Sequence, residues 1–257
     1  MSTLQRAGLA TLGLCALALA GPSCGTAYTE TVDVVRTATV ALDRENTLVV
    51  NVPVDVVVEG HPRTSDLVYT LKVTASASTA AAAEALAEAV VVRTEAVEPG
   101  GIQVVVEGLE PRNGQVLGEL KVVVPDDLDL SLVSSRGALS VLEVEGAMQL
   151  GAMSHVSVDG AAGSVNAGSQ QGNVLVSTSL QPGSVVDLLS VSGSIQLALP
   201  SVVSAQIQAT PGGGGQVYIQ HPGLPAGLGG TAAYGVTVGG GLSLVKLVAQ
   251  AGNIVIQ

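Results

Sequence analysis

Phenylalanine and tryptophan are absent from this 257-residue chain, and four tyrosines are its only aromatic residues. A core without large rings must be built from Val, Leu, Ile and Ala. Such small or β-branched side chains suit a narrow interior between short strands better than a wide aromatic-rich sandwich. Tyr28, Tyr69, Tyr218 and Tyr234 are too few to make the stacked platforms that hold sugars or single-stranded nucleic acid. Basic residues are scarce as well: ten Lys and Arg against 21 Asp and Glu give a formal charge of -11. Nucleic acid binding needs a basic footprint to displace counterions, so that class is excluded, and anionic lipid head groups would repel the chain. Beyond Gly160 the only charged residues are Asp187 and Lys246.

Long hydrophobic runs are missing outside the N-terminus. Residues 1–24 read as a secretory signal peptide, with Arg6 in a short positive region and Ala7 to Ala20 as an apolar stretch ending in small residues. That stretch is shorter than the roughly 20 apolar residues of a spanning helix. The later Val-rich runs are broken by Pro, Gly, Asp or Glu, so the mature chain is expected to lack a membrane span. Cys15 leaves with the signal, and Cys24 alone cannot form an intramolecular disulfide. A single cysteine at the end of a signal sequence resembles a bacterial lipoprotein attachment site, where the thiol is diacylated and becomes the new N-terminus. Ser23 and Gly25 fit that pattern; Gly21 and Pro22 depart from the Leu and small residue it prefers. Ordinary cleavage after Ala18-Leu19-Ala20, with Cys24 free, is the alternative.

After a short linker, residues 25–30, one domain is expected over residues 31–257. Its first part, 31–125, carries alternating runs such as Leu48-Val49-Val50-Asn51-Val52 and Ile102-Gln103-Val104-Val105-Val106, which read as strands. Pro99-Gly100-Gly101 suits a hairpin. Residues 79–89 are almost all strong helix formers, with Ser78 or Thr79 as N-cap, and make one short Ala-rich helix. Over residues 126–257 a unit recurs: glycine, any residue, aliphatic, any residue, aliphatic. It begins at Gly137, Gly146, Gly172, Gly193, Gly215 and Gly252, each read as a turn glycine ahead of a short half-buried strand. Pro211 to Gly215 and His221 to Gly241 read as irregular loops.

Two architectures account for such spacing. A β-sandwich also places a strand about every 8 to 12 residues. Short strands with similar turns and no large rings stack better as a single-stranded β-solenoid, each coil covering its neighbour. The expected fold is therefore an all-β solenoid with one helix in its N-terminal half.

Three stretches carry a family likeness: Leu120-Lys121-Val122-Val123-Val124-Pro125 with Leu130 to Gly137, Leu189 to Pro200, and Val248 to Ile256. In this order they resemble the bacterial putative-adhesin family, a domain of unknown function with a toast-rack-like β-solenoid. The resemblance covers about Thr31 to Gln257. It implies an exported or membrane-tethered protein, in some cases one that accompanies envelope-stress sensing, and it brings no catalytic residue with it. The family often has Asp after the turn glycine; this chain has Ala138, Asn173, Ser194 and Asn253. That departure removes a row of carboxylates and disfavours a repeating Ca²⁺ site, which needs charged oxygen ligands.

Catalytic patterns are also wanting. His61, His155 and His221 show no metal-ligand spacing and read as solvated turn or edge residues. Asp126, Asp127 and Asp129 read as a solvated turn. The repeat half holds many serines but almost no base to activate one, and no Gly-x-Ser-x-Gly elbow. No catalytic, cofactor or metal residue is assigned. The expected function is a non-enzymatic cell-envelope protein, adhesin-like or a scaffold, binding an envelope protein or polymer, with a lipid anchor as its only membrane contact. An accessory role in envelope-stress sensing and an enzyme acting on an envelope polymer are the alternatives.

Overall fold

The structure is a computed structural model that describes residues 30–42, 45–109, 115–225 and 232–257. The expected signal peptide, Cys24 and residues 25–29 of the expected linker lie outside the described residues. Alternation of buried and open side chains sets nearly every element, because successive residues of a strand face opposite ways. In chain order the first half holds β1 (Glu30–Ala41), β2 (Thr47–Val52), β3 (Asp55–Gly60), β4 (Asp66–Ala77), α1 (Ala80–Ala89), β5 (Val91–Val97), β6 (Gly101–Glu107) and β7 (Gln115–Val124). Shorter strands follow: β8 (Asp129–Ser134), β9 (Leu139–Leu142), β10 (Met148–Ala152), β11 (Val156–Ala161), β12 (Val165–Ser169), β13 (Val174–Thr178), β14 (Val185–Ser190) and β15 (Ile195–Ala198). The chain closes with β16 (Ala205–Pro211), β17 (Val217–Ile219), β18 (Tyr234–Val238), β19 (Ser243–Ala249) and β20 (Ile254–Ile256).

These strands form two ten-stranded mixed sheets. One, sheet A, runs β1-β4-β7-β3-β9-β11-β13-β15-β20-β17; the other, sheet B, runs β18-β16-β19-β14-β12-β10-β8-β2-β6-β5. From β8 to β15 the chain alternates between sheets, and each strand pairs in parallel with the one two places on. Parallel neighbours ordinarily need a long crossover. Here the crossover is simply the strand laid down in the opposite sheet. The inward faces share one hydrophobic cluster, with Leu132, Leu188 and Leu247 from sheet B meeting Val141, Ile195 and Ile256 from sheet A. Each such Leu or Ile contributes about 1.5–3 kcal/mol by leaving water.

Order in space departs from order in the chain at both ends. The β6–β7 circuit lies outside β2–β3, and β19–β20 lie inside β16–β17. Antiparallel strands finish the ends: β4 on β7, β1 on β4, β5 on β6 and β18 on β16. Among the described residues the mostly-β structure with one short helix is as expected. Both stretches read as irregular carry regular structure among their described residues: the second contains β18, and Pro211 to Gly215 closes β16 and turns tightly into β17.

Thr79 is the N-cap of α1, its hydroxyl accepting from the Ala82 N–H at 3.2 Å. Arg36 of β1 serves the other end, its Nη2 donating to the carbonyls of Ala87 at 3.3 Å and Glu88 at 3.1 Å. Ala83 and Ala87, one turn apart, are buried against β1 and β4. A small-residue face lets the helix lie close, and it covers the end of the core that β1 and β4 leave open.

Tyr69 of β4 is buried in this core, and burial pushes its hydroxyl pKa up. The folded state therefore favours the protonated phenol. Its contribution is intact below the ordinary tyrosine value of about 10 and is lost as pH rises through the raised one. Tyr69→Phe keeps the packing and should flatten the alkaline fall in a urea midpoint measured against pH.

Candidate binding face and the corners that shape it

Adjacent strands lie about 4.8 Å apart, so corresponding corner residues of stacked circuits are nearly in backbone contact. The six glycines of the repeat stand at these corners. Five, Gly137, Gly172, Gly193, Gly252 and Gly215, share the corner that leads from sheet B to sheet A; Gly146 is at the opposite one. A Cβ on Gly193 would sit 2.3 Å from the Gly172 carbonyl oxygen, and one on Gly252 would sit 2.1 Å from that of Gly193. One on Gly215 would lie 1.9 Å from the Gly252 oxygen. Gly163, which the repeat pattern does not include, packs on Gly146 in the same way at 2.4 Å. No side chain fits there.

Two polar columns flank the glycines. Ser134, Ser169 and Ser190 are buried three residues before a corner glycine. Ser134 Oγ donates to the Val54 carbonyl at 2.6 Å and accepts from the Gly137 N–H at 2.8 Å. Ser169 Oγ donates to the Ser154 carbonyl and accepts from Gly172, while Ser190 Oγ donates to the Gly172 carbonyl at 3.0 Å. Each hydroxyl thus ties one circuit to the next. The second column is the residue after the corner. Asn173 N–H donates to His155 Nδ1 at 3.0 Å, Ser194 N–H to Asn173 Oδ1 at 2.9 Å, and Asn253 N–H to Ser194 Oγ at 3.2 Å. Gln216 N–H donates to Asn253 Oδ1 at 2.9 Å, and at the far end Ala138 N–H donates to Asp55 Oδ1 at 2.8 Å. Ala138 has no acceptor to offer His155, so the ladder is interrupted once.

Asp129 and His221 also have structural partners. Asp129 Oδ1 accepts from the Ala147 N–H at 2.7 Å, doing at the opposite corner what Asp55 does here. His221 is buried rather than solvated: its Nδ1 accepts from the Gly223 N–H at 3.0 Å and its Nε2 lies 2.9 Å from the Pro200 carbonyl. The neutral Nε2–H tautomer satisfies both contacts. Among the described residues no cluster of three or more His, Cys, Asp or Glu could hold a metal ion. Nor is any helix among them long and apolar enough to cross a membrane.

Two glycines behave differently. Gly151 of β10 and Gly168 of β12 are register partners on the outer face of sheet B. A Cβ on either would meet nothing closer than 3.9 Å, so the fold does not require glycine at these positions. Bare backbone there floors a groove of about 400 Å³. Val133 and Leu189 close it along the row, and Met153 and Val191 form its flank beside the corner. Val133, Met153 and Leu189 are 42%, 37% and 38% exposed. The neighbouring row presents Ser131, Gln149 and Asn166 and continues through Asp187 and Lys246, which pair with each other at 3.4 Å, to Gln208. The only two charges beyond Gly160 therefore cancel locally, and no ionisable side chain lines the groove.

The same fold occurs in a putative cell adhesion protein from Clostridium sporogenes. The two superpose with a TM-score of 0.51 over 86% of this chain and 97% of that one, at 13% identity. A putative adhesin from Bacteroides fragilis aligns over 87% and 97% with a TM-score of 0.33 and 11% identity. A putative lipid binding protein from Parabacteroides distasonis aligns over 87% and 96% with a TM-score of 0.31 and 12% identity. No family model and no curated protein sequence matches the chain. At 13% identity the likeness to the Clostridium sporogenes protein concerns the fold.

Gly193→Ala should cost about 2–3 kcal/mol, because the new methyl strikes backbone that cannot move away. Gly168→Ala should be neutral or stabilising by up to about 1 kcal/mol, since it removes only chain entropy. Urea titration separates the two. In the same assay Ala138→Asn, which offers an acceptor to the His155 N–H, should add about 1 kcal/mol.

Proposed function

We propose that the chain is an exported, non-enzymatic binding protein of the bacterial cell envelope, built as a two-sided β-solenoid that works as an adhesin-like module. The observation that carries this reading is the glycine-floored groove on the outer face of sheet B, whose lining holds no ionisable side chain. Interior strand glycines weaken a sheet and often mark close approach of a ligand or another backbone. These two have no packing role, and they leave an apolar cup bordered by neutral hydrogen-bonding side chains. Such a face suits a neutral partner, which contributes aliphatic or ring surface to the cup and polar groups to Gln149 and Asn166. The fold shared with the Clostridium sporogenes protein supports the adhesin reading. Against an enzyme, the groove offers neither a base nor a carboxylate pair.

Export and anchoring complete the proposal. Cleavage before Cys24 and diacylation of its thiol would hold the solenoid at a membrane while its outer face stays free. Mass spectrometry of the mature N-terminus checks this: a diacylated Cys24 is expected, and an unmodified Gly21 terminus contradicts it.

The groove is tested by coating particles with the chain and measuring their retention on envelope fragments and on intact cells. Gly151→Leu with Gly168→Leu fills the cup without touching the core. It should cut retention about tenfold at an unchanged Tm, the scale of one lost apolar anchor. Equal retention by the filled variant contradicts the groove as the site.

A further inference from the structure

We propose that the last strand pair, β19–β20, is exchangeable between copies, so that two chains form a reciprocal dimer by each lending the other its C-terminal segment. The inference is independent of the groove and of what it binds.

The topology makes this segment an insertion. β19 is paired in parallel on both sides, with β14 through Val185↔Leu244 to Ser190↔Ala249 and with β16 through Ala205↔Ser243 to Pro211↔Ala249. β20 is likewise held between β15 and β17. Apart from β18, β16 pairs only with β19, and β17 pairs only with β20. The outermost circuit is therefore joined to both sheets only through residues 243–257. Those residues follow β14 to β17 in the chain, so the slot they fill exists before they do. Until they arrive, β14 and β15 offer open parallel edges, and an open edge is a template for any strand of matching register. A second copy carries the matching segment by identity. Its Val245, Leu247, Ala249, Ile254 and Ile256, all fully buried here, would fill the same core positions. Its Lys246 would meet Asp187 across the chains.

The connection into the segment favours exchange. β18 and β19 lie on opposite sides of β16, so the chain must pass beneath the start of β16 within residues 239–242. Gly239, Gly240 and Gly241 make that passage at φ values of 55°, 85° and 69°, a backbone region that glycine occupies readily and other residues resist. Ser204 pins it, with Oγ donating to the Gly239 carbonyl and accepting from the Leu242 N–H at 3.4 Å. A Cβ on Gly239 would be 2.4 Å from the Val203 carbonyl oxygen. A chain that lends its segment extends this hinge instead of threading it. Short, tight hinges of this kind are where domain swapping begins, and a reciprocal exchange closes as a two-fold dimer.

The test uses the full chain with Cys15 and Cys24 replaced by Ser, and with Asp187→Cys and Lys246→Cys placed opposite each other on β14 and β19. The protein is refolded over a range of concentrations, oxidised, and run on a non-reducing denaturing gel. Exchange gives a covalent dimer whose fraction grows with refolding concentration. A side-by-side dimer without exchange leaves only the intrachain bond and runs as a monomer. Gly240→Pro, which cannot adopt a positive φ, should raise the covalent dimer fraction by about tenfold or more. Intrachain cross-links alone at every concentration, with the wild-type hinge, overturn the proposal even if the proline variant fails to fold.

Discussion

Backbone meets backbone at the corners, and the rest of the molecule depends on that spacing. Strands stacked about 4.8 Å apart bring corresponding turn residues within van der Waals contact of each other's peptide groups. From Gly172 through Gly193 and Gly252 to Gly215 the chain answers this with an unbroken column of glycines. Where the column lacks glycine, at Ser154, a neighbouring serine hydroxyl takes up the exposed carbonyl. The corner peptides would otherwise leave polar groups facing a dry interior on one side and an adjacent circuit on the other. Buried serines satisfy the inner groups, and the Asp55-to-Gln216 ladder satisfies the outer amides except at His155.

That arrangement explains the composition. Flat circuits with tight corners leave an interior only two side chains deep, which Val, Leu, Ile and Ala fill without rings. It also explains why Asp55, His155, Asn173, Ser194 and Asn253 share one role: the position needs an acceptor for the next circuit's N–H, and charge is incidental. From β10 to β18 the strands of sheet B carry, among the described residues, one self-paired Asp187–Lys246 contact as their only charges, while Asp129 and the Arg93, Glu95 and Glu107 cluster lie toward the β5 end. The groove between Val133 and Leu189 is an absence of side chains in the middle of the outer face of sheet B.

Most strands, though not β18, and the helix at Ala80–Ala89 were legible in the sequence because each depends on local pattern: alternation in the strands and alanine content in the helix. The glycine-to-aliphatic spacing likewise pointed to the positions that lie at the corners. The Ser-x-x-Gly spacing of Ser134, Ser169 and Ser190 was equally visible, but serine reads as a surface residue until its two backbone partners are known. His221 was misread for the same reason, since its burial comes from a carbonyl at Pro200, distant in sequence. The interchange of circuits at both ends left no local trace. A strand in β19 looks the same whether its neighbour is β14, β16 or both, because register is fixed by the partners and not by the strand. Gly151 and Gly168 were legible as glycines, yet their meeting across two strands is a product of the fold.

Native-state hydrogen exchange at the corner amides is the most direct measure of whether these columns hold the circuits together. The N–H groups of Asn173, Ser194, Asn253 and Gln216 lie near the surface, where loop amides ordinarily exchange by local opening. If the ladder is integral, they exchange as slowly as buried strand amides such as Leu188 and Leu247, with the same dependence on denaturant. Exchange orders of magnitude faster, insensitive to denaturant, would show that the corners open freely and that the core alone maintains the stack.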